Sequence, residues 1–167
     1  GVNIINGMIG DHLIDQQSSL AVPMTLYDRY GQPLGNKLSG RIVVLCHGLA
    51  LSYLNWHPCE DDSLGENIAL AQPQSTVLYL DYNTGKRISQ NGRRLSHIMK
   101  QLVEENPDIT QIDLVGYSMG GLVARSALFY AEQEGLDWID RAGNLVTIGT
   151  PHQGALLERT GHYLLDI

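Results

Sequence analysis

At 167 residues the chain is long enough for one domain with a buried core. Charged residues make up 17% against 43% hydrophobic, the balance of strands and helices covered on several faces. The formal net charge of −7, from 11 basic and 18 acidic side chains, argues against nucleic acid and anionic membrane surfaces as partners, but not against neutral esters or lipids.

The first residues, Gly1 to Ile5, lack the basic region and apolar core of a signal peptide, which favours the cytoplasm. No apolar stretch anywhere reaches the roughly 18–20 residues of a membrane span. Residues 1–19 show no firm period. Leu20 to Tyr27 reads as a strand broken by Pro23, hence an edge strand. Asp28 to Gly31 is turn-like, and Gln32 to Leu34 is the return arm of an N-terminal hairpin. Arg41 to Cys46 is the first strong strand. It shows no polar alternation after Arg41, the pattern of a strand covered on both faces, as in parallel sheets.

His47-Gly48-Leu49 follows at once. Gly48 lets the backbone turn close to a ligand, while His47 reads as a structural imidazole tying the loop to backbone carbonyls. Ala50 to Asp62 is a loop carrying Trp56, His57 and Pro58, of the kind that walls a pocket. Cys46 is expected as a buried free thiol; Cys59 lies in a polar loop, and a bridge between the two stays open. Ser63 to Ala71 reads as a short helix, Thr76 to Asp81 as a strand, and Asn83-Thr84-Gly85 as a turn. Ser89 to Glu105 is a helix with Leu95, Ile98, Met99, Leu102 and Val103 on one face, interrupted by Gly92 for close packing and ended by Asn106-Pro107.

The next stretch organises the chain. Ile112 to Val115 reads as the end of a buried strand, Gly116-Tyr117-Ser118-Met119-Gly120 matches the Gly-x-Ser-x-Gly nucleophile elbow, and an apolar helix runs on to about Glu134, stopped by Gly135. A nucleophilic serine must stand on a turn so sharp that side chains two residues before and after it would collide. Glycine removes them. The turn sets Ser118 at a helix start, where free N–H groups favour negative charge, and points the Met119 N–H at the oxygen that becomes anionic in acyl transfer. The loop after the first strong strand supplies the second such N–H in serine hydrolases, here from Leu49 by position. The competing reading is a strand-to-helix turn whose serine merely caps the helix.

Asn144 to Ile148 is a further buried strand, Gly149 to Gly154 a loop containing His152, and the last thirteen residues a short helix. The alternation of strands and helices after the hairpin predicts an α/β fold with a doubly wound, mostly parallel sheet and right-handed crossovers. His47, Ser118 and His152 each follow a strand directly, which places them at the carboxyl edge where such folds bind ligands.

Four stretches resemble the α/β-hydrolase superfamily, and within it the lipase-like branch related to GPI-inositol deacylases: Val43 to Leu49, Tyr82 to Gly85, Leu114 to Arg125, and Leu145 to Ala155. The resemblance covers about residues 18–160. It implies a carboxylic-ester hydrolase (lipase or esterase) acting on lipid or short acyl esters through an acyl-enzyme on Ser118, with Leu49 and Met119 as the oxyanion hole. It implies no metal and no organic cofactor. His47, Gly48, Tyr117 and His152 then line the site; Tyr117 stands where many relatives carry histidine, and the His152 loop shapes the site without accepting the proton.

One departure matters. In this superfamily an acid and a histidine follow the serine on two further strands, and the chain stops before them. Residues 1–167 are therefore expected to be a single domain equal to the N-terminal portion of the fold, inactive alone, with acid and base beyond Ile167. Its open sheet edge is expected to be covered by a dimer partner or a retained C-terminal fragment. A non-catalytic binding module, and a thioesterase or acyltransferase on the same scaffold, are the alternatives.

Overall fold

A computed structural model describes residues 23–35, 37–58 and 60–153. Strand β1 spans Thr25–Tyr27, β2 Gly40–Cys46, helix α1 Leu64–Ala71, β3 Ser75–Asp81, α2 Ile88–Glu105, β4 Ile109–Tyr117, α3 Met119–Glu134 and β5 Ala142–Ile148. Two short 3-10 turns, Tyr53–Trp56 and Asp137–Arg141, complete the set. Leu20 to Val22, Cys59 and the expected C-terminal helix lie outside the described residues.

The strands form one sheet in the order β1-β3-β2-β4-β5, with β2, β3, β4 and β5 parallel and β1 antiparallel to β3. This is the mostly parallel, doubly wound sheet that the alternation predicts. β1 is at the edge, as Pro23 requires. The hairpin is reduced to one bridge, Tyr27 with Pro33, because β1 finds its long partner in β3.

The two faces of β2 feed two cores. Ile42, Val44 and Cys46 point into the larger one, with Leu95, Met99 and Leu102 of α2, Val123 and Ala127 of α3, and the fully buried Trp138. Val43 and Leu45 point into a smaller one with Val77, Tyr79 and Val115, closed by Ile68 and Ala69 of α1 and by Tyr53 and Trp56. An all-apolar strand is the sequence signature of this double covering, and Cys46 is accordingly a buried free thiol whose pKa burial pushes up to about 12. Gly92 lets α2 approach α3: a Cβ there would lie 2.2 Å from Ser126 Oγ. Ser63 caps α1 by accepting from Glu66 N–H at 3.2 Å.

β5 departs from the buried strand expected of it. It sits at the other edge, and Val146 and Ile148 are 48% and 41% exposed among the described residues. It is tied to β4 at its start by a polar knot. Buried Asp113 accepts from Asn144 N–H at 2.6 Å, Asn144 Nδ2 at 3.1 Å and Gln111 Nε2 at 2.9 Å, and pairs with Arg41. Burial alone would raise the Asp113 carboxyl; these donors outweigh it and hold the group below its ordinary value of 3.8. Among the described residues no helix is long and apolar enough to cross a membrane, and no group of His, Cys, Asp or Glu is placed to hold a metal ion.

A depressed carboxyl contributes stability that is present above the unfolded pKa and lost as pH falls through the folded one. Asp113→Asn is therefore expected to lower stability by about 1–2 kcal/mol at pH 7, with the gap to wild type closing below pH 4. Urea denaturation at pH 7 and pH 3 checks this; an equal gap at both pH values contradicts it.

Candidate active site

β4 ends at Tyr117 and α3 begins at Met119, which leaves Ser118 as the whole junction. Its backbone has φ 51 and ψ −121, a conformation L residues rarely adopt. The strain is held from both sides. Ser118 N–H donates to Ile148 O at 2.8 Å, and Ser118 O accepts from Gly121 N–H at 3.2 Å. A capping serine has an extended backbone and a hydroxyl bonded into the first turn. Ser118 has neither, so the cap reading fails.

The glycines act as the elbow pattern requires. A Cβ at Gly116 would lie 2.3 Å from Gly121 Cα; one at Gly120 would lie 2.1 Å from Cys46 O and 2.5 Å from His47 O. Real Cβ atoms do not approach so closely, so only glycine lets α3 start against the end of β2. Gly121, which the pattern does not demand, is equally confined: its Cβ would meet Thr150 Oγ1 at 2.1 Å.

The chain passes from β2 outward to β3 and then crosses back to β4, so β2 and β4 flank the topological switch point, where a crevice opens at the carboxyl ends of the strands. The loop after β2 lies there. A Cβ at Gly48 would be 3.2 Å from Ser118 Cβ and 3.1 Å from the Tyr117 ring. Leu49 follows, 63% exposed, and among the described residues nothing accepts its N–H. Met119 opens α3, and a first-turn N–H has no intrahelical acceptor. The two amides singled out from the sequence thus belong to the two backbone segments that meet at Ser118.

His47 is fully buried, its ring stacked on Tyr82 at 4.3 Å. Nδ1 is 3.0 Å from Gly48 O; a carbonyl only accepts, so Nδ1 carries the hydrogen. Nε2 lies 3.4 Å from Asp81 Oδ1 in an orientation that makes no hydrogen bond. Burial drives the imidazole's pKa down, against the Gly48 carbonyl and the Asp81 carboxylate, which both favour the cation. His47 is the structural imidazole anticipated for it.

Tyr117 is 44% exposed and meets Trp56 edge-on at 6.4 Å; Leu54, 59% exposed, stands on the same 3-10 turn as Trp56. The Ala50–Asp62 loop therefore gives this side an aromatic and apolar rim. His152 is exposed on the loop after β5, with Nε2 3.2 Å from Thr147 Oγ1. Neither it nor His47 is hydrogen-bonded to Ser118 among the described residues. A separate cavity of about 320 Å³ between the segment after β1 (from Asp28 to Leu38), α1 and β3 draws no wall from the carboxyl ends of β2 or β4.

Three residues passed over in the sequence belong to the site's support. Tyr82 Oη donates to His47 O at 2.6 Å, Thr84 Oγ1 accepts from Ala50 N–H at 3.2 Å, and Asp81 Oδ1 accepts from Tyr53 N–H at 3.2 Å. Tyr82 to Gly85 is one of the four resembling stretches, but as a sequence it shows only a turn.

Comparison with known proteins follows the same lines. The model of the family described as PGAP1-like alpha/beta domain matches residues 37–165. No curated protein matches the chain in sequence. Among solved structures it is similar to the lipase BlEst2 of Bacillus licheniformis. The propeptide form gives a TM-score of 0.58 at 23% identity over 83% of this chain, and the mature form 0.57 at 20% over 83%. The chain spans 28% of the first and 51% of the second, so the likeness is one of fold over part of a longer protein.

Gly120→Ala is expected to cost about 3 kcal/mol because the new methyl meets backbone. Gly135→Ala at the end of α3 has φ +62 but open space around its Cβ and is expected to cost about 1–2 kcal/mol. Thermal midpoints of the two variants test the ranking; Gly120→Ala as the milder one would mean α3 does not abut β2 as described.

Proposed function

The chain belongs to the PGAP1-like alpha/beta domain family, and on that premise we propose that it is a serine hydrolase cleaving carboxylic esters of the lipase or esterase type. The observation that carries this reading is the Ser118 backbone. A strained, non-capping serine between β4 and α3, pressed against Gly48, is the backbone that presenting a hydroxyl to a ligand requires.

Ser118 Oγ attacks the ester carbonyl carbon and its proton passes to a general base. The carbonyl oxygen becomes an anion received by the N–H groups of Leu49 and Met119. The tetrahedral intermediate collapses, the alcohol leaves with a proton, and water repeats the sequence on the acyl-enzyme to release the acid and free Ser118. The apolar rim of Leu49, Leu54, Trp56 and Tyr117 suits an acyl chain or lipid ester over a charged substrate. We propose that the acid and the histidine lie outside the described residues, on strands continuing the sheet past β5. The edge of β5 that no described strand pairs supports that placement, as do Val146 and Ile148, left exposed on one face.

A fluorophosphonate probe is expected to label Ser118 in the full-length protein, and Ser118→Ala to abolish labelling and lower ester turnover by roughly 10⁴-fold or more. Intact mass and steady-state hydrolysis of a p-nitrophenyl ester read the two effects. Turnover unaffected by Ser118→Ala would exclude the hydrolase mechanism and favour a non-catalytic binding module.

A further inference from the structure

The loop presenting Leu49 is held in an unfavourable shape. Ala50 has φ +57, left-handed and without the excuse of glycine. Such a residue persists only where neighbours over-determine it. One is the loop's own turn, in which Leu51 N–H donates to Gly48 O at 3.3 Å; the others come from one short segment, the chain leaving β3, whose tethers to the loop fall just before and just after Leu49.

Before it, Tyr82 Oη donates to His47 O at 2.6 Å while its ring stacks on the His47 imidazole. After it, Thr84 Oγ1 accepts from Ala50 N–H at 3.2 Å. The His47 carbonyl is therefore bounded on one side by the Tyr82 hydroxyl and on another by the start of α3, since a Cβ on Gly120 would sit 2.5 Å from it. The Tyr82 hydroxyl thus fixes the His47–Gly48 peptide plane and Thr84 the Leu49–Ala50 plane; the Gly48–Leu49 plane between them, which carries the Leu49 N–H, is held by Gly48 O, which accepts from His47 Nδ1 at 3.0 Å and from Leu51 N–H at 3.3 Å. Tyr82 is 2% exposed, and burial keeps its phenol protonated and a donor.

We propose that Tyr82, with Thr84 as a second tether, is a positioning residue for the reaction: it sets the oxyanion loop so that the Leu49 N–H is aimed before substrate arrives. The proposal rests on the hydrolase reading above. It separates Tyr82 from a merely packed aromatic, because its hydroxyl holds the His47 carbonyl from which the loop starts.

Tyr82→Phe keeps the ring and deletes the tether. In the full-length protein, with a soluble p-nitrophenyl ester, it is expected to lower kcat by roughly ten- to a hundredfold, the scale of a small misplacement at a reacting centre, with KM within about twofold. Thr84→Val is expected to act the same way, and Thr84→Ser to restore wild-type kcat. Amide hydrogen exchange at Ala50, whose N–H the Thr84 hydroxyl holds, is expected to quicken in Thr84→Val. Wild-type kcat in Tyr82→Phe, in a protein whose turnover depends on Ser118, would overturn the proposal. Should Tyr82→Phe fail to fold, wild-type kcat in Thr84→Val would overturn it instead. Absence of Ser118-dependent turnover in the wild type is a different result: it removes the hydrolase reading itself and the catalytic meaning of the tether with it.

Discussion

The structure depends on one close approach of backbone to backbone. The first turn of α3 lies so near the end of β2 that a single methyl on Gly120 would overlap the carbonyls of Cys46 and His47. This contact does more than pack. It puts the serine at the head of α3 and the loop leaving β2 within a side chain's width of each other, which two elements separated by ordinary residues cannot achieve. Gly116, Gly120 and Gly121 are the sequence's provision for it, and the covered strands β2 and β4 are its foundation. A sheet with apolar residues on both faces does not yield when a strained turn is fixed to its edge.

Strain at the edge is consequently affordable. Ser118 and Ala50 both occupy left-handed backbone without being glycine, at a cost on the order of 1–3 kcal/mol each. Each is pinned by hydrogen bonds from different elements: Ser118 by β5 and α3, Ala50 by the segment after β3. The four parallel strands thus all contribute at their carboxyl ends, β2 and β4 by presenting backbone and β3 and β5 by holding it. This division also explains why β5 keeps its place although one side of it is exposed. Its end carbonyl at Ile148 receives the Ser118 N–H, and its start is locked by Asp113.

The sequence disclosed those features that depend on local pattern. Arg41 to Cys46 announced a strand covered twice because both of its faces are apolar. The elbow announced a strand-turn-helix junction because its glycines are spaced by steric need. The bounds of β2, β3, β5, α1 and α2 differed by one or two residues, as at Ala142 and Gly143 ahead of Asn144. Features that depend on pairing across the chain stayed hidden. Nothing in Thr25 to Tyr27 says that it will prefer β3, over fifty residues away, to the adjacent Gln32–Leu34 arm. Nothing in Tyr82 or Thr84 says that they hold residues 47 and 50, since a hydrogen bond between loops leaves no period and no composition. β5 read as buried because Leu145, Val146 and Ile148 are apolar; whether both faces of an apolar strand are covered depends on neighbours that the strand itself does not encode.

The electrostatic character of the site follows from the same contacts. An anion forming beside Ser118 would meet amide hydrogens and the N-terminus of α3. His47 is the one cation that the loop itself could supply, and its burial disfavours that charge: Nδ1–H is spent on Gly48 O, and Nε2 has no hydrogen-bond partner. A protonated His47 would gain the attraction of the Asp81 carboxylate 3.4 Å away but would place a charge where desolvation penalises it. A neutral imidazole instead leaves the attraction for a developing anion to the amide hydrogens and the N-terminus of α3. Preorganised dipoles favour charge only where it develops, and that selectivity suits a reaction whose ground state is uncharged and whose transition state is not.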